Sequence, residues 1–149
     1  NLISDDDTML LMRHGPYLVE INLISNLLLN YVNDYSEHPF PEYLRTGIPV
    51  ALSSDDRGMW ESTMTDEFYV GATEFNLSWE EIKTLSRNSL EHAFVAKEIK
   101  TRLLREYNER ILRFERQMQR RGVEQLGPMP ETRGFVCNRY GLCNTHDQE

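Results

Sequence analysis

The chain has no apolar run near the roughly 20 residues a helix needs to span a bilayer, so a membrane partner is not expected. It has no basic excess either. Sixteen Lys and Arg stand against 24 Asp and Glu, a formal net charge of −8. Phosphate backbones are neutralised by clustered Lys and Arg, so no nucleic-acid partner is expected. Cysteine is scarce, with two in 149 residues. Cys137 and Cys143 do not form a CxxC pair and no second pair exists, which excludes a four-ligand structural zinc site. No secretory signal and no internal repeat is recognisable. The sequence starts at Asn1 without an initiator Met, which reads as a processed chain or as part of a longer one.

What is present suits a folded unit. The length fits one domain or a piece of a larger one. With 40% hydrophobic residues, a chain of this size can bury roughly 70% of its unfolded surface. Arg139-Tyr140-Gly141 can turn, so Cys137 and Cys143 either close a small disulfide loop or remain two thiols. The disulfide would imply an oxidising compartment.

Residues 5–13 read as a helix, with Asp5, Asp6 and Asp7 placed to favour its dipole. Gly15 and Pro16 stop it. Residues 17–22 read as a strand bounded by breakers. A polar, aromatic stretch then leads to a short helix over 41–45, with proline in its first turn. Residues 48–52 form a continuous apolar strand of the kind buried on both faces of a parallel sheet. A helix is expected over 65–75. Ser78 and Glu81 make a capping box for a helix running to about Phe94, with Ile82, Leu85, Leu90 and Phe94 on its apolar face. A last helix, 96–120, carries Ile99, Leu103, Leu104, Tyr107, Ile111, Leu112 and Phe114 at helical spacing. Its Arg102, Arg105, Arg110, Arg113, Arg116, Arg120 and Arg121 alternate with Glu106, Glu109 and Glu115, as on a solvated face with paired charges. Residues 122–149 read as a Gly- and Pro-containing tail without a core of its own, against a folded unit over 1–121.

Alternating helices and strands indicate an α/β fold with a parallel sheet. Two strands do not make such a sheet stable alone. A (β/α)8 barrel needs about 250 residues, so of such a barrel this chain could supply only the last quarter.

The chemistry-bearing segment is Ser53-Ser54-Asp55-Asp56, where polar residues follow a buried strand. The carboxyl ends of parallel strands are where α/β folds place their sites. Adjacent side chains at a strand end point in different directions. One carboxylate can therefore reach a metal while the other reaches a ligand beside it. An Asp-Asp pair after a strand is, by itself, more often a loop or helix cap.

The surrounding residues add weight. Gly47 through Asp56, then Trp60 and Asp66-Glu67-Phe68, closely resemble the last strand and following segment of the adenosine deaminase family. Glu20 through Asn26 and His38-Pro39 resemble that family's preceding strand and loop. Asn76-Leu77-Ser78-Trp79-Glu80-Glu81 and Arg87-Asn88-Ser89 are similar to its closing helices. The resemblance covers about residues 2–115 and is nearest to the secreted, growth-factor-type branch and its bacterial relatives.

That resemblance implies the C-terminal part of a (β/α)8 barrel, with its seventh and eighth strands and a C-terminal helical extension. It also implies zinc-dependent hydrolysis of adenosine or 2'-deoxyadenosine to inosine or deoxyinosine and ammonia. Asp55 would be the carboxylate ligand of one Zn2+ and would hold the metal-bound water. Asp56 would hydrogen-bond the purine N7. Zinc lowers the pKa of bound water toward 7, provided that one coordination position stays open. The family's remaining zinc ligands are histidines, and His14, His38, His92 and His146 stand in none of those motifs. The chain alone is therefore expected to be inactive.

Glu20 alternates with Val19 and Ile21, which points it at the barrel interior and a supporting hydrogen bond near the site. Ser25 and Asn26 either orient the loop beside the site or cap a helix. His38 reads as a loop residue tethering backbone, and His92 as packing or surface. Trp60 lines the pocket mouth or packs on the last helices. Rival readings are an aminohydrolase for another amino-purine and a non-catalytic binding fragment that associates with itself or with the missing N-terminal part of a barrel. The branch resemblance and the cysteine pair lean toward the periplasm or the cell exterior, with the cytoplasm as the alternative.

Overall fold

The computed structural model describes residues 5–122 and 134–141. The first helix, α1 (Asp6–His14), is capped by Asp5, whose side chain accepts from the Thr8 amide. Next come β1 (Val19–Ile21), α2 (Leu23–Leu28), a 3-10 turn at Tyr35–Glu37, α3 (Phe40–Arg45) and β2 (Val50–Leu52). After β2 the chain is helical: α4 (Arg57–Trp60), α5 (Met64–Glu74), α6 (Trp79–Glu91), α7 (Lys97–Arg121) and α8 (Phe135–Tyr140). Both strands are shorter than the sequence suggests, because only three residues of each share the two-stranded ladder. Helix α2, the 3-10 turn, α4 and α8 are not evident from periodicity, since each is too short to show a repeat.

The strands run parallel, with Val19 opposite Val50 and Ile21 opposite Leu52. All three residues of β2 are buried. One face of the pair meets α5, where the Leu52 side chain comes close to Gly71. On the edge of β2 that faces away from β1, Asn88 of α6 donates to the Val50 carbonyl at 2.8 Å. The core joins Ile21, Leu23, Ile24, Ile48, Val50, Leu52, Val70 and Leu85 to the rings of Tyr35, Phe40, Tyr43 and Phe75.

Reciprocal capping boxes start α5 and α6, at Thr63 with Asp66 and at Ser78 with Glu81. Two expectations about the late helices change. Helix α6 ends at Glu91, which leaves Phe94 wholly exposed. No residue of α7 is fully buried, and Ile99, Leu112 and Phe114 are exposed. The reason is geometric: α7 is held chiefly along α6, through Trp79 against Phe114, Lys83 to Glu115, and the Tyr107 hydroxyl donating to the Lys83 carbonyl. One helical neighbour shields only a strip of a helix. The charged face is also less paired than its sequence implies. Arg102 and Glu106 stand 3.9 Å apart, while Glu115 serves α6 instead.

The segment 134–141 differs most from the sequence reading. It forms α8, and Phe135, Val136 and Cys137 are buried. Phe135 donates its amide to the Glu61 carbonyl, the Tyr140 hydroxyl donates to Glu74, and Tyr140 meets the Tyr69 ring edge-on. A stretch read as tail is therefore joined to the core, because its three apolar residues find a face of α5 to cover. Cys137 is disulfide-bonded; Cys143 lies outside the described residues.

Candidate active site

Parallel pairing carries both strands to the same edge, so the segments that leave β1 and β2 become neighbours. The ladder extends one residue further, where the Ser53 amide donates to the Ile21 carbonyl at 2.8 Å. Asp55 then adopts a left-handed backbone, with φ of +49°. This conformation costs most L-residues roughly 1–2 kcal/mol, and Asp tolerates it better because its short polar side chain bonds locally. Here the Asp55 amide approaches Ser53 Oγ at 3.4 Å, and the Asp55 carbonyl accepts from the Arg57 amide at 2.8 Å. The turn ends the strand abruptly and leaves the Asp55 carboxylate at the carboxyl edge of the sheet.

Ser25, on α2, meets it there. The Ser25 hydroxyl donates to Asp55 Oδ2 at 2.7 Å. Ser25 is buried, whereas Asp55 is exposed. The structure thus brings together two residues singled out from the sequence, with one carboxylate oxygen engaged and Oδ1 left without a protein partner among the described residues.

The position of α2 depends on a carboxylate the sequence reading gave no role at the site. Glu67 of α5 is fully buried. Its Oε2 accepts from the Leu23 amide at 2.9 Å, and its Oε1 from the Ile24 amide at 3.4 Å. These are first-turn amides of α2, which a helix cannot satisfy internally. Asn22 stands at the cap position but makes no capping bond, so Glu67 does that work from another element. Burial pushes the Glu67 carboxyl up to about 8, against the pull of the two amides. The local signal reads only as an acid in a first helical turn. Its burial and its partners depend on a segment more than forty residues away.

Asn26 and His38 meet each other instead of Asp55. His38 Nδ1 accepts from the Phe40 amide at 3.0 Å, so the proton sits on Nε2, which lies 3.0 Å from Asn26 Oδ1. Burial among Phe40 and Phe75 pushes this imidazole down to about 4, which fits a neutral ring. The backbone tether read from the sequence is the observed arrangement. Asp56 precedes α4, is exposed, and makes no capping bond. Glu20 is exposed and makes no hydrogen bond among the described residues. Its register partner is Ala51, so by strand alternation it lies on the face opposite Val19 and Ile21. The supporting hydrogen bond expected of Glu20 is not made within the described residues. His92 closes α6, with Nδ1 3.1 Å from the Asn88 carbonyl. Trp60 is partly buried against the core, and its indole nitrogen finds no partner among the described residues.

A model of the adenosine deaminase family matches residues 1–110. The chain belongs to the adenosine deaminase family. An adenosine deaminase of Plasmodium gallinaceum is 34% identical over 71% of this chain and 29% of its own length. An adenine deaminase of Acinetobacter baylyi is 33% identical over 71% of this chain and 32% of its own length. Among solved structures, the adenine deaminase of Arthrobacter aurescens superposes with a TM-score of 0.68 at 28% identity, covering 73% of this chain and 33% of that one. An Arabidopsis N6-mAMP deaminase shares the fold, with a TM-score of 0.64 at 23% identity over 70% of this chain and 31% of that one. The chain therefore spans about a third of the length of the relatives it matches. These neighbours are (β/α)8 barrels. In this adenosine deaminase family member, β1 and β2 with their helices form part of that architecture, the seventh and eighth strands, with α7 as the helical extension.

Proposed function

We propose that this chain supplies the strand-end carboxylates of a zinc-dependent purine deaminase, which converts adenosine or 2'-deoxyadenosine to inosine or deoxyinosine and ammonia. The observation that carries the reading is Asp55, held at the carboxyl edge of a parallel sheet by Ser25 with one oxygen left over. A hard carboxylate oxygen in that position suits a divalent cation. A single carboxylate is one ligand of a set, and no group of three His, Cys, Asp or Glu residues able to hold a metal occurs among the described residues. His38 and His92 are committed to Phe40, Asn26 and Asn88 and do not turn toward Asp55. When bound, such an ion supplies an activated water for attack at the purine C6. Asp55 would hold such an ion through its carboxylate and would orient the water beside it. Asp56, the next residue, whose side chain makes no capping bond, would donate a hydrogen bond from a carboxyl O–H to the ring N7, an acceptor, and so fix the purine beside it.

The relatives named for adenosine and for adenine share the six-amino purine ring, so the choice between nucleoside and free base is the second reading. The test is deamination of adenosine, 2'-deoxyadenosine and adenine, followed by ultraviolet absorbance with added zinc. It uses protein expressed from the complete gene, beside an Asp55→Ala variant. Turnover of a purine that the variant loses supports the assignment. Equal turnover by both overturns it. The disulfide at Cys137 supports placing the protein in the periplasm or outside the cell, since such bonds persist in oxidising compartments.

A further inference from the structure

We propose that Glu67 is a positioning residue for the Asp55 carboxylate, acting through the first turn of α2 and the hydroxyl of Ser25. The inference rests on the assignment of Asp55 as a metal ligand. Three observations support the relay. Glu67 is completely buried yet spends both oxygens on the Leu23 and Ile24 amides, the residues immediately before Ser25. The residue that ordinarily caps such a helix, Asn22, leaves its side-chain oxygen buried and without a partner among the described residues. Ser25 in turn engages a single oxygen of Asp55 at 2.7 Å.

The consequence is directional. Capping from α5 fixes the rotation and height of the first turn of α2, and with them the Ser25 hydroxyl. That hydroxyl selects which carboxylate oxygen of Asp55 is engaged and which one faces outward. Groups that orient a metal ligand in this way commonly change metal affinity or activity about 10- to 100-fold when removed. The neighbouring Asp66 is occupied within its own helix, where its carboxylate closes the α5 capping box on Thr63.

The experiment compares Glu67→Gln, Ser25→Ala and the double variant in protein expressed from the complete gene. It measures zinc retained after dialysis against a weak chelator, kcat and KM for deamination, and thermal unfolding. The expected result is a tenfold or greater loss of zinc retention or kcat in each single variant, with KM little changed. The double variant should be no worse than the poorer single, because both changes cut one chain of contacts. Wild-type zinc retention and kcat in a folded Glu67→Gln protein that merely melts earlier would reduce Glu67 to a cap and overturn the inference. If Glu67→Gln does not fold, Ser25→Ala decides alone, because it leaves the cap intact and cuts only the link to Asp55. Wild-type behaviour there overturns the relay. Asp55→Asn serves as reference: if it keeps both zinc and turnover, the Asp55 assignment fails and the inference falls with it. If it loses them while Glu67→Gln does not, only the inference fails.

Discussion

The Ser25 hydroxyl and the Asp55 carboxylate lie 30 residues apart in the chain and 2.7 Å apart in space. The contact joins the segment after β1 to the segment after β2, and a charged acceptor makes it stronger than a neutral hydrogen bond. Replacing Ser25 by Ala removes the donor but leaves no buried acceptor stranded, because Asp55 is exposed to water. The expected cost in stability is therefore small, about 1 kcal/mol. Chemical denaturation should show a midpoint shifted slightly at unchanged slope. A collapse of the fold would contradict this account.

His38 is expected to stay neutral through the ordinary pH range. Its folded value, about 4, lies below the usual 6.5. The unfolded chain then binds more protons than the folded one between those values, so stability rises with pH there. The contribution is complete above 6.5 and is lost as pH falls toward 4. A proton NMR titration that finds the His38 ring charged at pH 6 would refute the assigned tautomer.

Glu67 works in the opposite sense. Its folded value, about 8, lies above the usual 4.5. The folded chain binds more protons between those values, so this group's contribution is fully present below 4.5 and fades as pH rises through 8. Glu67→Gln should flatten that slope in thermal melts taken from pH 5 to pH 9. An identical slope in wild type and variant would show that Glu67 ionises as freely as in water.

Gly134 should resist substitution. A Cβ there would meet the Glu61 carbonyl oxygen at 2.9 Å and Asp66 Oδ2 at 3.4 Å. The first neighbour is backbone and cannot swing aside, so Gly134→Ala should loosen α8 from α5 at a cost of about 1–3 kcal/mol. Faster amide exchange at Phe135 and a lower melting temperature are the expected signs. Unchanged protection of the Phe135 amide would mean that α8 is held by other contacts.

Cys137 should not react with an alkylating reagent until a reductant is added, because it is disulfide-bonded. Mass spectrometry of the alkylated protein, with and without reduction, reads this directly. Modification without reductant would show a free thiol.

Much of the local structure is written in short-range signals. The acidic start of α1, the Gly15-Pro16 stop, the capping box of α6 and the apolar run of β2 each depend on residues within a few positions, and each appears where the sequence places it. The parallel pairing follows from the alternation of helix and strand, and with it the location of Asp55 at a strand end. Tertiary structure alone decided the rest. Glu67 becomes a buried cap because an amide pair 43 and 44 residues away lacks another acceptor. The segment at Phe135 becomes a helix because α5 offers it an apolar face, and α7 stays half-exposed because one neighbour cannot cover it. Capping and periodicity are local properties of a chain, whereas burial is a property of which distant segments meet, and at this site burial assigns the duties of Ser25, His38 and Glu67.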